Sequence, residues 1–229
     1  MPGRRLRLGV LASAGGSALF AARAVLPEMD LVVVTDRACG IEAAAAAHGI
    51  PCTRIVEADR ARFGERVARH YRAQGPLDAV LLFYARLVGP ELYRSLPCVN
   101  VHPSLLPAFP GMGAVRRAVE AGAPALGATA HLVDAGTDAG PILAQVTSPL
   151  PRGASLRQAE QLSFVQKAAL TVIVCQLFAQ GRVRIDPGAS RLSVRPGHAS
   201  TAFAHPVPDG DLWREAVARL ATTHGVSLT

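Results

Sequence analysis

Four short apolar runs show no alternation between polar and apolar positions: LRLGVLA at 6–12, LVVVT at 31–35, DAVLLF at 78–83 and CVNV from Cys98. Successive side chains of a strand point to opposite faces, so a strand apolar at every position must be covered on both sides. Stretches of helical spacing separate these runs, over 17–26, 41–48 and 60–74, with a further short strand at 53–56. Strands covered on both faces and joined by helices predict an α/β fold of the Rossmann-like kind, a mostly parallel sheet flanked by helices with right-handed crossovers.

The pattern changes after Gly111. A helix over 114–121 should close at Gly122, a good C-terminal cap. Residues 125–133 and 141–147 read as two strands joined by the turn-rich DAGTDAG, pairing as a hairpin or lying side by side at the sheet's edge. One long helix should run from Ser155 to Gln180, opened by a capping box of Ser155 with Gln158 and ended by Gly181. A small ribbon (182–185 with 192–194 across DPGAS), a loose linker rich in Pro, Gly and Ser (196–210) and a last helix (211–222) follow. The division expected is one domain over 1–185 and a small C-terminal extension over 186–229. That extension either packs on the core through Leu212, Trp213 and Val217 or mediates self-association, so a homodimer stays open.

Composition removes several classes. With 229 residues, 50% hydrophobic and 18% charged, the chain has apolar surface enough to offset the entropy of ordering it, which excludes intrinsic disorder. No run approaches the ~18 uninterrupted apolar residues of a membrane span, and the N-terminus is too soon interrupted for a signal peptide. A soluble, cytoplasmic protein with no membrane partner is expected. Cys39, Cys52, Cys98 and Cys175 have no paired spacing, so neither a disulfide framework nor a metal site is expected. The net charge of +7 comes from scattered arginines with Lys167 as the only lysine, and no aromatics interleave with them. That argues against nucleic acid as a partner and suits anionic small molecules, phosphates or carboxylates.

Three places could carry chemistry. SAGGS at 13–17 follows the first strand and opens a helix, so backbone N–H groups bared by Gly15 and Gly16 between Ser13 and Ser17 could hold an anion. The alternative is a tight turn that only needs glycine. The spacing is not G-x-G-x-x-G, and Asp36 after LVVVT does not complete a dinucleotide site. Asn100 and His102, two apart on the fifth strand, emerge on one face at its carboxyl end, with Pro103 and Pro107 stiffening the exit. An amide donor beside an imidazole can stabilise an oxyanion or shuttle a proton; the alternative is two polar groups that satisfy loop carbonyls. The third is DAGTDAG, where Asp134 and Asp138 are either a turn or an acid/base pair, and lack the ligands of a calcium loop. A carboxylate from this loop could orient His102 and favour its charged form.

Together, NVHPSLLPAFPG at 100–111 and GATAHLVDAGTDAGPILAQ at 127–145 resemble the 10-formyltetrahydrofolate-dependent formyltransferases, over about residues 6–185. The best-fitting branch formylates glycinamide ribonucleotide in purine synthesis. The resemblance implies direct attack of an amine on the formyl carbon, with Asn100 and His102 at the oxyanion. Asp138 would position His102 and help remove the amine's proton through water, and His131 would support the loop. It implies a folate pocket from Ala85, Arg86, Leu87 and Val88 with Asp134 and Thr137 of the glycine-rich loop. There Arg86 would meet the folate's carboxylates, and no metal is needed. Ser13, Gly15, Gly16 and Ser17 would hold the acceptor.

Departures gather on the acceptor side. The family's SGNGSN appears as SAGGSA, with Gly15 and Ala18 in place of asparagines; its PGxHxHR appears as PGMGAVR, ending at Arg116; and its Glu-His pair appears as Gln166-Lys167. Transfer to a different amine, of a secondary metabolite, amino sugar or amino acid, is therefore the first alternative. A formyltetrahydrofolate hydrolase and a folate-binding module without catalysis follow it.

Overall fold

The computed structural model describes residues 5–26, 29–188, 191–195, 201 and 203–228. Along the chain run β1 (Leu6–Ala12), α1 (Ser17–Val25), β2 (Met29–Thr35), α2 (Gly40–Ala47), β3 (Cys52–Arg54), α3 (Arg60–Ala73), β4 (Ala79–Phe83) and a one-turn α4 (Pro90–Tyr93). β5 (Cys98–His102), α5 (Ala114–Glu120), β6 (Ala125–Leu132), β7 (Ile142–Pro149) and α6 (Leu156–Ala179) follow. The chain ends with β8 (Val183–Asp186), β9 (Arg191–Val194), β10 (Ala204–His205) and α7 (Leu212–Thr223). The main sheet has the order β10-β7-β6-β5-β4-β1-β2-β3, parallel from β3 through β5 and antiparallel from there to β10, as the unalternating runs required.

Alternate residues of the same strands feed two cores. Leu8, Val10, Val33, Leu81, Val99 and Val101 join α1, α2, α6 and α7 on one face. Leu11, Val32, Val34, Val80, Leu82 and Cys98 join Phe63, Val67 and Tyr71 of α3 and Leu92 of α4 on the other. The second core is small, and its strands stop at β5.

Local signals account for most boundaries. Asp59 caps α3, its Oδ1 accepting from the Arg62 N–H (2.8 Å). At α6, the Gln158 N–H donates to Ser155 Oγ (3.3 Å) and the Ser155 N–H to Gln158 Oε1 (2.9 Å), the reciprocal capping box. α6 is apolar enough in composition to cross a membrane, yet 83% of its apolar window is buried under this protein's own elements. It is the central helix of the larger core, which is why its apolar residues do not keep to one stripe.

Two expectations for the C-terminal extension need correction. The stretch 196–210 is not a loose linker where it is described: β10 pairs with β7 (Ala204 opposite Val146), the Thr147 N–H donates to the Phe203 carbonyl (2.8 Å), and Phe203 and Val207 are buried. Apolar residues set among the turn-formers cover β7's outer edge, which would otherwise expose unpaired backbone groups. Residues 196–200 and 202, and the end of the DPGAS turn, lie outside the described residues. Of the three proposed anchors, Trp213 and Val217 join the larger core, whereas Leu212 is 56% exposed.

Candidate active site

On the face of the smaller core, β5 stops being apolar. Cys98 is buried there, and the next two same-face positions are Asn100 and His102. The antiparallel neighbour β6 sets His131 opposite Asn100 and Thr129 opposite His102, and β7 sets Gln145 opposite Thr129. Five polar side chains thus gather at adjoining register positions of three strands, with two loops closing over them.

The first loop leaves β5. The Thr129 hydroxyl donates to the Ser104 carbonyl (2.7 Å) and accepts from the Leu106 N–H (3.0 Å). Gln145 Nε2 donates to the Leu106 carbonyl (2.9 Å) and to Thr129 Oγ1 (3.0 Å), and Ser104 Oγ donates to the Ala108 carbonyl (2.6 Å). Tied down this way, the chain turns back so that Phe109, at φ 53°, brings its carbonyl to His102 Nε2 (3.0 Å). Arg117 of α5 donates to the next carbonyl, that of Pro110.

The second loop is DAGTDAG. Asp134 Oδ1 accepts from the Gly136 N–H (2.9 Å), an Asx turn, so Asp134 is a turn residue here. Gly140 leaves no room for a side chain, because a Cβ would overlap the Leu132 carbonyl. Between them Asp138, at φ 52°, reaches into the strand face. Its Oδ2 accepts from the Gly111 N–H (2.7 Å) and lies 3.2 Å from His102 Nδ1; its Oδ1 accepts from Asn100 Nδ2 (3.2 Å) and lies 3.4 Å from His131 Nε2. The structure therefore brings Asn100, His102 and Asp138 into one network and adds His131 to it.

The hydrogen bonds restrict the chemistry. Both ring nitrogens of His102 face oxygen acceptors, the Asp138 carboxylate and the Phe109 carbonyl, and only the doubly protonated ring can donate to both. Asn100 Nδ2 donates to Asp138 Oδ1 and lies 3.1 Å from His131 Nε2, so the amide nitrogen is engaged within the network and is not the free donor anticipated from its place on the strand. Burial pushes the pKa of His131 below its usual range, with the Leu132 carbonyl and Asp138 opposing.

Around β4 and β1 the network is thinner. In 85–88, Val88 is buried in the smaller core and Leu87 is 57% exposed. The Ala85 N–H donates to Ser13 Oγ (2.9 Å), tying the loop after β4 to the loop after β1. The Arg86 guanidinium turns toward Asp36 (Nη1 to Oδ2, 3.4 Å) and donates to the Ala58 carbonyl (3.2 Å), above the Phe63 ring. Asp36 is buried and also takes a two-point contact from Arg37 (2.9 and 2.8 Å), whose hydrogen bonds, with those of Arg86 and Tyr84, lower its pKa against the cost of burial. Thr137 is exposed, as are Gly15 in the loop after β1 and Ser17 at the start of α1. Gly16 adopts φ 66°, and a Cβ there would press on Ile41 at 2.9 Å, so this glycine is required by its turn. Gln166 and Lys167 belong to α6, on the opposite face of the sheet from Asn100: Gln166 is buried and donates to the Leu126 carbonyl (2.9 Å), and burial lowers the pKa of Lys167.

Sequence reasoning missed Thr129, Gln145 and the Phe109 carbonyl, the groups that set the first loop. A signal was present: Asn-x-His on one strand has Thr-x-His on the next, the same polar spacing of two. Its meaning depends on the register between the strands.

Comparison with known proteins identifies the family. The formyl transferase family matches residues 23–173. The phosphoribosylglycinamide formyltransferase of Mycobacterium tuberculosis is 35% identical over 190 residues, 79% of this chain and 88% of the relative. A methionyl-tRNA formyltransferase of Chloroflexus aggregans is 33% identical over 149 residues, 64% of this chain and 47% of the relative. Among solved structures, glycinamide ribonucleotide transformylase 1 of Symbiobacterium toebii superposes with a TM-score of 0.73 at 32% identity, covering 82% of this chain and 93% of its own. A matching family core, a matching fold and a strand-end network of Asn, His and Asp place this chain in the formyl transferase family.

Proposed function

We propose that this chain transfers the formyl group of 10-formyltetrahydrofolate to the primary amine of glycinamide ribonucleotide, a step of purine synthesis. The observation that carries the reading is the single network joining Asn100, His102 and Asp138 at the carboxyl end of β5, where open α/β sheets place their ligands. Both partners are small molecules, no metal takes part, and a cytoplasmic location suits the reaction. The acceptor follows from the relatives named above and from the open, glycine-bared start of α1, which has no side-chain cap and no acidic residue in its first turn. Such a terminus suits a phosphate.

In this reading the amine attacks the formyl carbon, a C–N bond forms, and the carbonyl oxygen takes up negative charge. The formyl oxygen replaces the Phe109 carbonyl at His102 Nε2, and the imidazolium, held by Asp138, stabilises the oxyanion. The amine loses its proton through water toward Asp138, the bond from carbon to the folate's N10 breaks, and N10 gains a proton to leave as tetrahydrofolate. Ala85, Leu87 and Val88 with Asp134 and Thr137 border the folate. Arg86 reaches its carboxylates by exchanging the 3.4 Å contact with Asp36.

A different amine acceptor is favoured by one observation: Gly15, Ala18, Gly113 and Val115 supply no polar side chain where the family carries Asn and His. Turnover of 10-formyltetrahydrofolate with and without glycinamide ribonucleotide decides. Acceptor-dependent release of tetrahydrofolate is expected; donor binding with no release on that acceptor would move the reading to another amine.

A further inference from the structure

The Asn100 amide can face the cleft with its N–H groups or with its oxygen. His131 removes that choice. Its Nδ1 lies 3.1 Å from the Leu132 carbonyl, an acceptor only, so Nδ1 carries the hydrogen. The ring is 3% exposed, and burial favours its neutral form. In the neutral ring Nε2 then carries a lone pair; it lies 3.1 Å from Asn100 Nδ2, the nearer group, and 3.4 Å from Asp138 Oδ1, which would hold a proton there only in the charged ring. Reversing the amide would set its oxygen against that lone pair and against Asp138 Oδ1 at 3.2 Å, two repulsive contacts in a buried place. With both N–H groups turned inward, Asn100 Oδ1 makes no hydrogen bond among the described residues and is not enclosed by them. It is the open polar atom of a network whose other members hold one another.

We propose that His131 is a positioning residue for formyl transfer: its Nε2 lone pair, together with Asp138, locks the Asn100 amide so that its oxygen meets the attacking amine. This rests on the formyl transfer reading above and deepens it. An amide oxygen accepts an amine N–H, which fixes rotation about the amine's C–N bond and aims the nitrogen lone pair. Its negative end also stabilises the positive charge that builds on nitrogen as the new bond forms. The oxyanion is left to His102. Four groups surround His131 Nε2 and set its response to pH: Asn100, Asp138, His102 through its charge, and the Leu132 carbonyl through the far side of the ring.

The test uses the full chain labelled with 15N, in the wild type and in His131→Leu and His131→Gln, where glutamine keeps an acceptor. Long-range 1H–15N spectra should show His131 protonated on Nδ1 at neutral pH. The Asn100 side-chain N–H signals, assigned by their loss in Asn100→Ser, should exchange slowly with water, quickly in His131→Leu, and slowly again in His131→Gln. In the wild type that protection should be lost as pH falls and Nε2 gains a proton. In turnover, kcat should fall about 10- to 100-fold in His131→Leu, with KM for the donor unchanged, and recover in His131→Gln. An Nε2-protonated His131, or Asn100 protection unaffected by His131→Leu, overturns the lock. Equal losses of kcat in both variants would reduce His131 to a structural role. A wild type that binds folate yet transfers no formyl group would sink the functional reading instead, and the spectra would still decide whether the lock exists.

Discussion

The two loops that close over β5 and the loop that follows β1 all lie at carboxyl ends of strands in one sheet, yet they are built on opposite plans. Around Asn100 nearly every polar atom has a partner inside the protein. Thr129 alone makes three hydrogen bonds, and Asp138 collects contacts from Asn100, His102, His131 and the Gly111 N–H. Around Gly15 the reverse holds: a Cβ at that position would find nothing within 4 Å, and Ala14, Gly15 and Ser17 are exposed. The first region is set before substrate arrives, which spares the reaction the cost of reorganising dipoles. The second offers backbone N–H groups with no side chain to specify what they hold. On the proposed function, the difference teaches that reaction type and substrate choice are separable: the chemistry would be carried by the densely bonded strand face and the acceptor's identity by a sparse loop.

The most severe way to break the contrast is Asp138→Asn. Losing the charge between His102 and His131 should lower turnover about 1,000-fold, within the usual range for positioned acid–base groups, while the donor still binds. Steady-state rates and a folate titration measure the two separately. Thr129→Val comes next. It leaves the Ser104 carbonyl and the Leu106 N–H without their partner and should cost about 1–3 kcal/mol of stability, read by urea unfolding, with turnover about tenfold lower as the Phe109 loop loosens.

Asp36→Asn probes the margin between the two regions, where Arg86 is held. Hydrogen bonds from Arg37, Arg86 and Tyr84 put the folded pKa of Asp36 below its usual value. Its contribution is therefore fully present above the unfolded carboxylate range, near pH 4, and is lost as pH falls through the lower folded value. The variant should be about 1–2 kcal/mol less stable at neutral pH, and thermal melts across the acid range should show that deficit shrinking below pH 4. The smallest effect belongs to Gly15→Asn. The site has room for the side chain, so the melting temperature should hold, while KM for glycinamide ribonucleotide should fall about 2- to 10-fold if an added amide reaches its phosphate. An unchanged KM would point to another acceptor.

Much of this was legible in the residues. Unalternating runs announced a sheet covered on both faces, and the capping box at Ser155 marked a helix start to the residue. Asn100 and His102 could be paired because a spacing of two on a strand has a fixed meaning. Other features were not legible. The stretch 196–210 looked like a linker because turn-formers dominate its composition, yet Phe203, Ala204 and Val207 are buried against β7 and the larger core. Arg86 looked free for a ligand because nothing nearby in sequence announces Asp36 as its partner, 50 positions away.

The order of residues by itself determined most of the strands and helices and the two polar groups that share a face of β5. Tertiary structure decided which groups meet those two. Asn100 lies 31 positions from His131 and 38 from Asp138, and both contacts arise from the antiparallel register of β6 and the left-handed turn at Asp138. Periodicity along a chain reports which way a side chain points. What it points at depends on strand register, and one residue of slip would turn His131 and Thr129 to the opposite face of the sheet.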